Sequence, residues 1–203
     1  MLLEHELGIV LSRIQPVPSY GPYSRCVGYH HLLAAPTPVV ARPKPLWGMG
    51  AAAYGGRFTP KGTFEAVYLA EDSITSLAEV ALIFRHPQAP PSTFSTPLWV
   101  HIVVEGILQS VLDLTRPDVL SQLGTTQQEI TGEWRSIQAA GAEAPTQMVG
   151  RVCYQTGRFD GIRFPSSKNP PTGVCLAVFP DRLTPPAFLE VYDPHGNLAQ
   201  RLP

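Results

Sequence analysis

Charge is scarce in this 203-residue chain: 15 lysines and arginines stand against 16 aspartates and glutamates, together 15% of the residues. So even a balance excludes the broad basic surface that grips nucleic acid or an anionic membrane through many phosphate contacts. Long hydrophobic runs are missing as well. No apolar stretch reaches the roughly 18 residues of a membrane-spanning helix. Residues 1–11 carry Glu4 and Glu6 without a basic leader, so they do not read as a signal peptide. The expected location is the cytoplasm, of the producing cell or of a target cell. Cysteine is sparse: Cys26, Cys153 and Cys175 are odd in number, far apart and free of any CxxC pair. That argues against a disulfide framework or a thiolate metal site and for buried thiols, with Cys153 in the core. The histidines, including the adjacent His30 and His31, lack metal-ligand spacing, and no metal is expected. Gly48-Met49-Gly50 followed by Gly55-Gly56 does not have GxGxxG spacing at a strand–helix junction, and no Walker lysine is present.

Proline, by contrast, is plentiful. Pro16, Pro18, Pro22, Pro36, Pro38, Pro43 and Pro45 crowd residues 15–47, which argues against a regular core element there. Tyr20, Tyr23, Tyr29 and Trp47 make the stretch too aromatic for a solvated linker, so an ordered loop or lid is expected. The hydrophobic fraction, 44%, suffices for one compact domain.

Around that loop the pattern predicts an opening strand at 8–14 and a short strand at 66–70. A helix follows from Ser73, as N-cap, to about Phe84, with Ile74, Leu77, Ala78, Ala81 and Leu82 on one face. Strands are expected at 98–105, 111–114, 161–164, 174–179 and 188–192, the last followed by a turn at 193–197 and a short final strand. Residues 127–140 read as helix or loop. A helix is expected at 145–156, with Met148, Val149, Val152 and Cys153 on one face. Strands outnumber helices and do not alternate strictly with them, which predicts an α+β fold in a single domain over residues 1–203.

Chemistry concentrates in residues 55–80, GGRFTPKGTFEAVYLAEDSITSLAEV. Gly55 and Gly56 let the backbone turn tightly just before Arg57, a presentation that suits a phosphate clamp. Tyr68 follows on a strand and Glu79 on a helix, at the flank of its apolar face. Taken singly, a helical glutamate is most often solvated and a strand tyrosine most often a core residue. Together, an arginine, a tyrosine and a carboxylate suit a ligand with a phosphate, a ring and a sugar.

GGRFTPKGT at 55–63 resembles the RES-domain signature GGRWNxxGT. Tyr68-Leu69-Ala70 resembles the family's YxA strand, and Leu77-Ala78-Glu79 its glutamate-bearing helix. Ser12-Arg13-Ile14 is similar to the opening Tyr-Arg-Ile/Val strand, and Arg163-Phe164-Pro165-Ser166 to the late Arg-Val-Pro-Ser motif, with Asn169 where an asparagine often follows. The resemblance implies an ADP-ribosyltransferase-like mixed β core with flanking helices. It implies a toxin that depletes NAD⁺, needs no further cofactor, and is neutralised by a protein antitoxin or immunity protein. It implies Arg57, Tyr68 and Glu79 at the catalytic centre, with Arg13, Ser166 and Asn169 joining Arg57 and Tyr68 in holding NAD⁺. The chain departs from the pattern at Ser12, in place of tyrosine, at Phe58, in place of tryptophan, and in its long proline-rich stretch.

The residues fit that chemistry. Breaking the nicotinamide–ribose bond builds positive charge on the ribose, which one carboxylate can stabilise. Nicotinamide leaves as a neutral amine, so the second carboxylate that glycosidases use to protonate a leaving group is not required. Water or phosphate as acceptor, ADP-ribosyl transfer to a macromolecule, and a catalytically silent NAD-binding module all remain open at this level.

Overall fold

The computed structural model describes residues 1–32, 43–80 and 98–203. In chain order these form α1 (Glu4–Arg13), β1 (Val17–Tyr20), β2 (Tyr23–Gly28), α2 (Tyr29–Leu32), α3 (Met49–Tyr54), β3 (Val67–Ala70), α4 (Ser73–Glu79) and β4 (Trp99–Asp113). The second half adds α5 (Pro117–Gln122), α6 (Gln127–Thr131), α7 (Arg135–Ala139), α8 (Pro145–Gln155), β5 (Gly161–Pro165), β6 (Val174–Val178), β7 (Phe188–Val191) and β8 (Arg201–Leu202). The expected α+β class holds. No described helix is long and apolar enough to cross a membrane.

All the strands share one mixed sheet, ordered β2-β3-β6-β5-β4-β7-β8, with β1 beside β4. Only β4–β5 is parallel. Because β2 pairs with both β3 and β4, the path β2–β3–β6–β5–β4 returns to its start and encloses the sheet on itself. β6 (VCLAV) is apolar throughout and buried on both faces, as expected of a strand covered on each side. Its alternation sorts two cores: Cys175 and Ala177 join Leu7, Leu11, Phe58 and Val149, whereas Leu176 and Val178 join Tyr23, Val67, Leu69 and Val104. Tyr68, on β3, packs against the first of these cores.

Several expectations are corrected. Residues 8–14 are not a strand but the body of α1. The run looks β-like only if it starts at Gly8; counted from Leu7, the buried positions Leu7, Leu11 and Ile14 follow the helical period. Acidic Glu4 and Glu6 in the first turn and Arg13 in the last complement the helix dipole. The proline-rich stretch holds two strands where a loop was expected. Pro18 is tolerated because β1 bonds to β4 alone and its register shifts between Val17 and Ser19, so the missing N–H falls at an edge and an irregularity. Residues 33–42 of that stretch lie outside the described residues, as does the expected helix beyond Val80, which runs into 81–97. The two strands expected at 98–105 and 111–114 are one, β4. Gly106 joins them, because a Cβ there would sit 2.7 Å from Leu189 Cδ2; this glycine admits β7 and does not break the strand. α8 and the strands of the C-terminal half stand close to where the pattern put them.

Candidate active site

The GGRF loop is clasped before it presents anything. Gly55 has φ +85°, and a Cβ there would lie 2.0 Å from Gln138 Oε1. Gln138 Nε2 donates to the Tyr54 carbonyl at 3.0 Å, while Gln147 Nε2 donates to the Gly56 carbonyl at 3.1 Å and to Gln138 Oε1 at 2.7 Å. From α8, Gly150 lets the helix lie directly on the loop: a Cβ would approach the Phe58 carbonyl oxygen to 1.8 Å. Phe58 itself is fully buried, with its ring 4.6 Å from that of Phe164. The position where the family signature has tryptophan is therefore a core position in this chain.

Tyr68 locks the same loop from below. Its hydroxyl accepts the Phe58 N–H at 2.9 Å and pairs with Thr59 Oγ1 at 3.1 Å. A Cβ on Gly56 would come within 2.5 Å of that hydroxyl, so the second glycine is needed for the contact. Burial pushes the Tyr68 pKa up to about 12, and the phenol stays neutral at ordinary pH.

Arg57 points away from Phe58 and is held by α6 and the 166–169 loop. Its Nη1 donates to the carbonyls of Ile130 at 2.9 Å and Gly132 at 2.8 Å, and Nη2 donates to Ser167 Oγ at 3.0 Å. Burial lowers its pKa, against the pull of the Glu79 carboxylate, yet an arginine so placed remains charged. Three of its five N–H bonds are spent on protein, which fixes the plane of the guanidinium and leaves two to meet a ligand.

Glu79 ends α4. Asp72, not Ser73, caps that helix: its carboxylate accepts from the Thr75 N–H at 2.8 Å and from Thr75 Oγ1 at 2.6 Å. Ser166, buried to 2% exposure, receives the N–H groups of Lys168 at 3.0 Å and Asn169 at 3.1 Å, so its own proton is turned to Glu79 Oε1 at 2.6 Å. Asn169 Nδ2 donates to Thr75 Oγ1 at 2.9 Å. The 166–169 loop therefore ties down both ends of α4. Cys175 Sγ stands 3.7 Å from the same Glu79 oxygen; burial and that carboxylate hold its thiol well above its usual pKa.

Arg57, Tyr68 and Glu79 line one cavity of about 600 Å³, together with Arg25, Trp134, Arg135 and Lys168. That volume suits a ligand of cofactor size. Ser166 and Asn169 do not line it; they stand behind Glu79 and α4. Arg13 stands apart from the cavity. It ends α1, is exposed, and does not line the cavity, because its segment is a helix packed on α8 and not a sheet strand. The upstream arginine that reaches the cavity is Arg25, on β2. Its Nη2 donates to the Trp47 carbonyl at 3.0 Å, while Nη1 is buried without a hydrogen-bond partner among the described residues. Burial alone lowers its pKa to about 10.

The sequence model of the RES domain matches residues 33–200. The chain belongs to the RES-domain family. It is 35% identical over 104 residues to the NAD(+) phosphorylase MbcT of Mycobacterium bovis and of Mycobacterium tuberculosis, a stretch covering 49% of this chain and 54% of the relative. The chain thus spans about half the length of the curated relatives it matches. Its fold is similar to that in the crystal structure of the M. tuberculosis MbcT–MbcA toxin–antitoxin complex, with a TM-score of 0.63 at 20% identity over 97% of this chain and 91% of that one. In this RES domain, Arg25 lies upstream of the matched residues, and the Gly-Gly-Arg loop, Tyr68, Glu79 and Ser166 lie within them.

Proposed function

We propose that this RES domain is a toxin that cleaves the nicotinamide–ribose bond of NAD⁺, with inorganic phosphate as the acceptor. The observation that carries the reading is Glu79, a carboxylate fixed by the Ser166 proton in a cavity otherwise walled by Arg25, Arg57, Arg135 and Lys168. Four cations around one carboxylate suit an anionic dinucleotide and a phosphate nucleophile. Glu79 stabilises the oxocarbenium character that develops at the ribose C1″ as nicotinamide departs with the bonding electron pair. A phosphate oxygen then forms the new bond to C1″, giving ADP-ribose 1″-phosphate and neutral nicotinamide. Arg57, immobilised by two carbonyls, and Arg25, on the same cavity, supply positive charge for the pyrophosphate. Tyr68, its hydroxyl engaged by the loop, offers its ring and not a proton. Ser166 and Asn169 act through Glu79 and α4 to set the direction of the carboxylate.

The similarity to MbcT, an NAD(+) phosphorylase, supports phosphate over water. The toxin–antitoxin complex with the similar fold supports a protein antitoxin as the natural partner. The test is incubation with NAD⁺ in the presence and absence of inorganic phosphate, following nicotinamide release and the mass of the sugar product. Phosphate-dependent release with ADP-ribose 1″-phosphate is expected. Free ADP-ribose at an undiminished rate without phosphate would make the enzyme a hydrolase. No nicotinamide under either condition would refute the reading.

A further inference from the structure

A second cavity, of about 400 Å³, opens beside the first, and Arg25, Cys26, Trp47, Gly50 and Tyr54 line both. If the scissile ribose lies at Glu79 and the pyrophosphate lies against Arg25, which lines both chambers, the remaining part of the dinucleotide, the adenosine, continues into this second chamber. Trp47, Trp99 and Tyr54 supply aromatic surface there for a purine. The ionisable character of the chamber is one-sided: Arg25, Lys44 and His31 line it, and no carboxylate joins them among the described residues. In Rossmann folds, an acidic side chain on the adenosine 2′-hydroxyl accepts the hydroxyl proton and repels a 2′-phosphate, and a carboxylate in any such pocket would have the same electrostatic effect. Here that acid is missing and cations stand in its place.

Lys44 is exposed and lines this chamber from a held turn. The turn that carries it is pinned at three points: the Lys44 carbonyl accepts the Trp47 N–H at 3.1 Å, Gln200 Oε1 accepts the Leu46 N–H at 2.8 Å, and the Trp47 carbonyl accepts from Arg25 at 3.0 Å. The backbone that carries Lys44 is thus tied to the arginine shared by both chambers.

We infer that the second chamber is a subsite for an adenosine ribose bearing a 2′-phosphate, with Lys44 as its contact, so that NADP⁺ is a substrate alongside NAD⁺. This rests on the reading of the first cavity as the site of nicotinamide release. The experiment has two arms. In the first, nicotinamide release from NADP⁺ and NAD⁺ is compared for the wild type, Lys44→Glu and Lys44→Arg. The wild type consumes both, Lys44→Glu lowers the NADP⁺ to NAD⁺ ratio of kcat/KM about tenfold, the loss of one charge-assisted contact, and Lys44→Arg restores it. In the second arm, calorimetry measures binding of adenosine 2′,5′-bisphosphate and AMP, which needs no turnover. Tighter binding of the bisphosphate by the wild type, with the preference lost in Lys44→Glu, supports the subsite. A wild type that consumes NAD⁺ but not NADP⁺, or a variant with an unchanged ratio, overturns it, as does equal binding of the two ligands. Nicotinamide release from neither dinucleotide, with the bisphosphate preference intact, would defeat the reading of the first cavity and leave the subsite standing.

Discussion

Arg57 and Arg25 line the same cavity, and the protein treats them differently. Arg57 is saturated: two carbonyls and a serine hydroxyl consume three of its donors. Arg25 has a single carbonyl partner and an Nη1 buried with none among the described residues. A buried guanidinium without a partner costs stability, whereas one that bridges α6 to the 166–169 loop holds the wall together. Arg57 is therefore part of the scaffold as well as of the cavity wall, and Arg25 is a buried cation that the described residues leave partly unpartnered. The same residue type at two points on one cavity does two jobs, and the hydrogen-bond count tells them apart.

Four substitutions sharpen or break that contrast. The largest effect belongs to Glu79→Gln, on the same cavity: nicotinamide release falls about a thousandfold with the circular dichroism of the fold retained. A residual rate within tenfold of wild type would remove the carboxylate from the chemistry. Next, Arg57→Ala lowers stability by about 2–3 kcal/mol in denaturant titration, because the carbonyls of Ile130 and Gly132 lose a charged donor, and activity falls with it. Arg25→Met should behave oppositely: KM for NAD⁺ rises about tenfold while stability stays within about 1 kcal/mol of wild type, since an uncompensated buried charge goes with the side chain. Equal destabilisation by both changes would erase the distinction. The smallest effect is that of Arg13→Ala, within about 0.5 kcal/mol in stability and without change in nicotinamide release, as befits an exposed helix end away from the cavity.

The same two walls mark how far the sequence could be read. The Arg57 wall was legible because its information is local. A tight turn, a short strand and a helix follow one another over residues 55–79, each with its own pattern, and Arg57 and the two glycines before it sit where the signature has them. The Arg25 wall was not legible, because Pro16, Pro18 and Pro22 mask β1 and β2, and only the edge position and register shift of β1 explain how prolines fit there. α3 leaves no apolar stripe to detect, being built as MGAAAY. The motif asparagine and serine were found, but their contacts were not. That Ser166 turns its proton to Glu79 follows from two N–H groups donated to it within its own loop, which no spacing rule displays. Gly150 is likewise silent in the sequence: only the 1.8 Å approach of the Phe58 carbonyl shows why α8 must carry a glycine there.

The Ser166–Glu79 hydrogen bond joins residues 87 positions apart. On the ribosome, elongation proceeds at roughly 5–20 residues per second, so a chain whose Gly-Gly-Arg loop, β3 and α4 have all emerged still waits several seconds for the hydroxyl that aims its carboxylate. Gln138, Gln147 and Gly150, which clasp the loop, arrive in the same late interval. Until residues 138–166 have been made, the loop is unclasped and the Glu79 carboxylate lacks the hydroxyl that orients it.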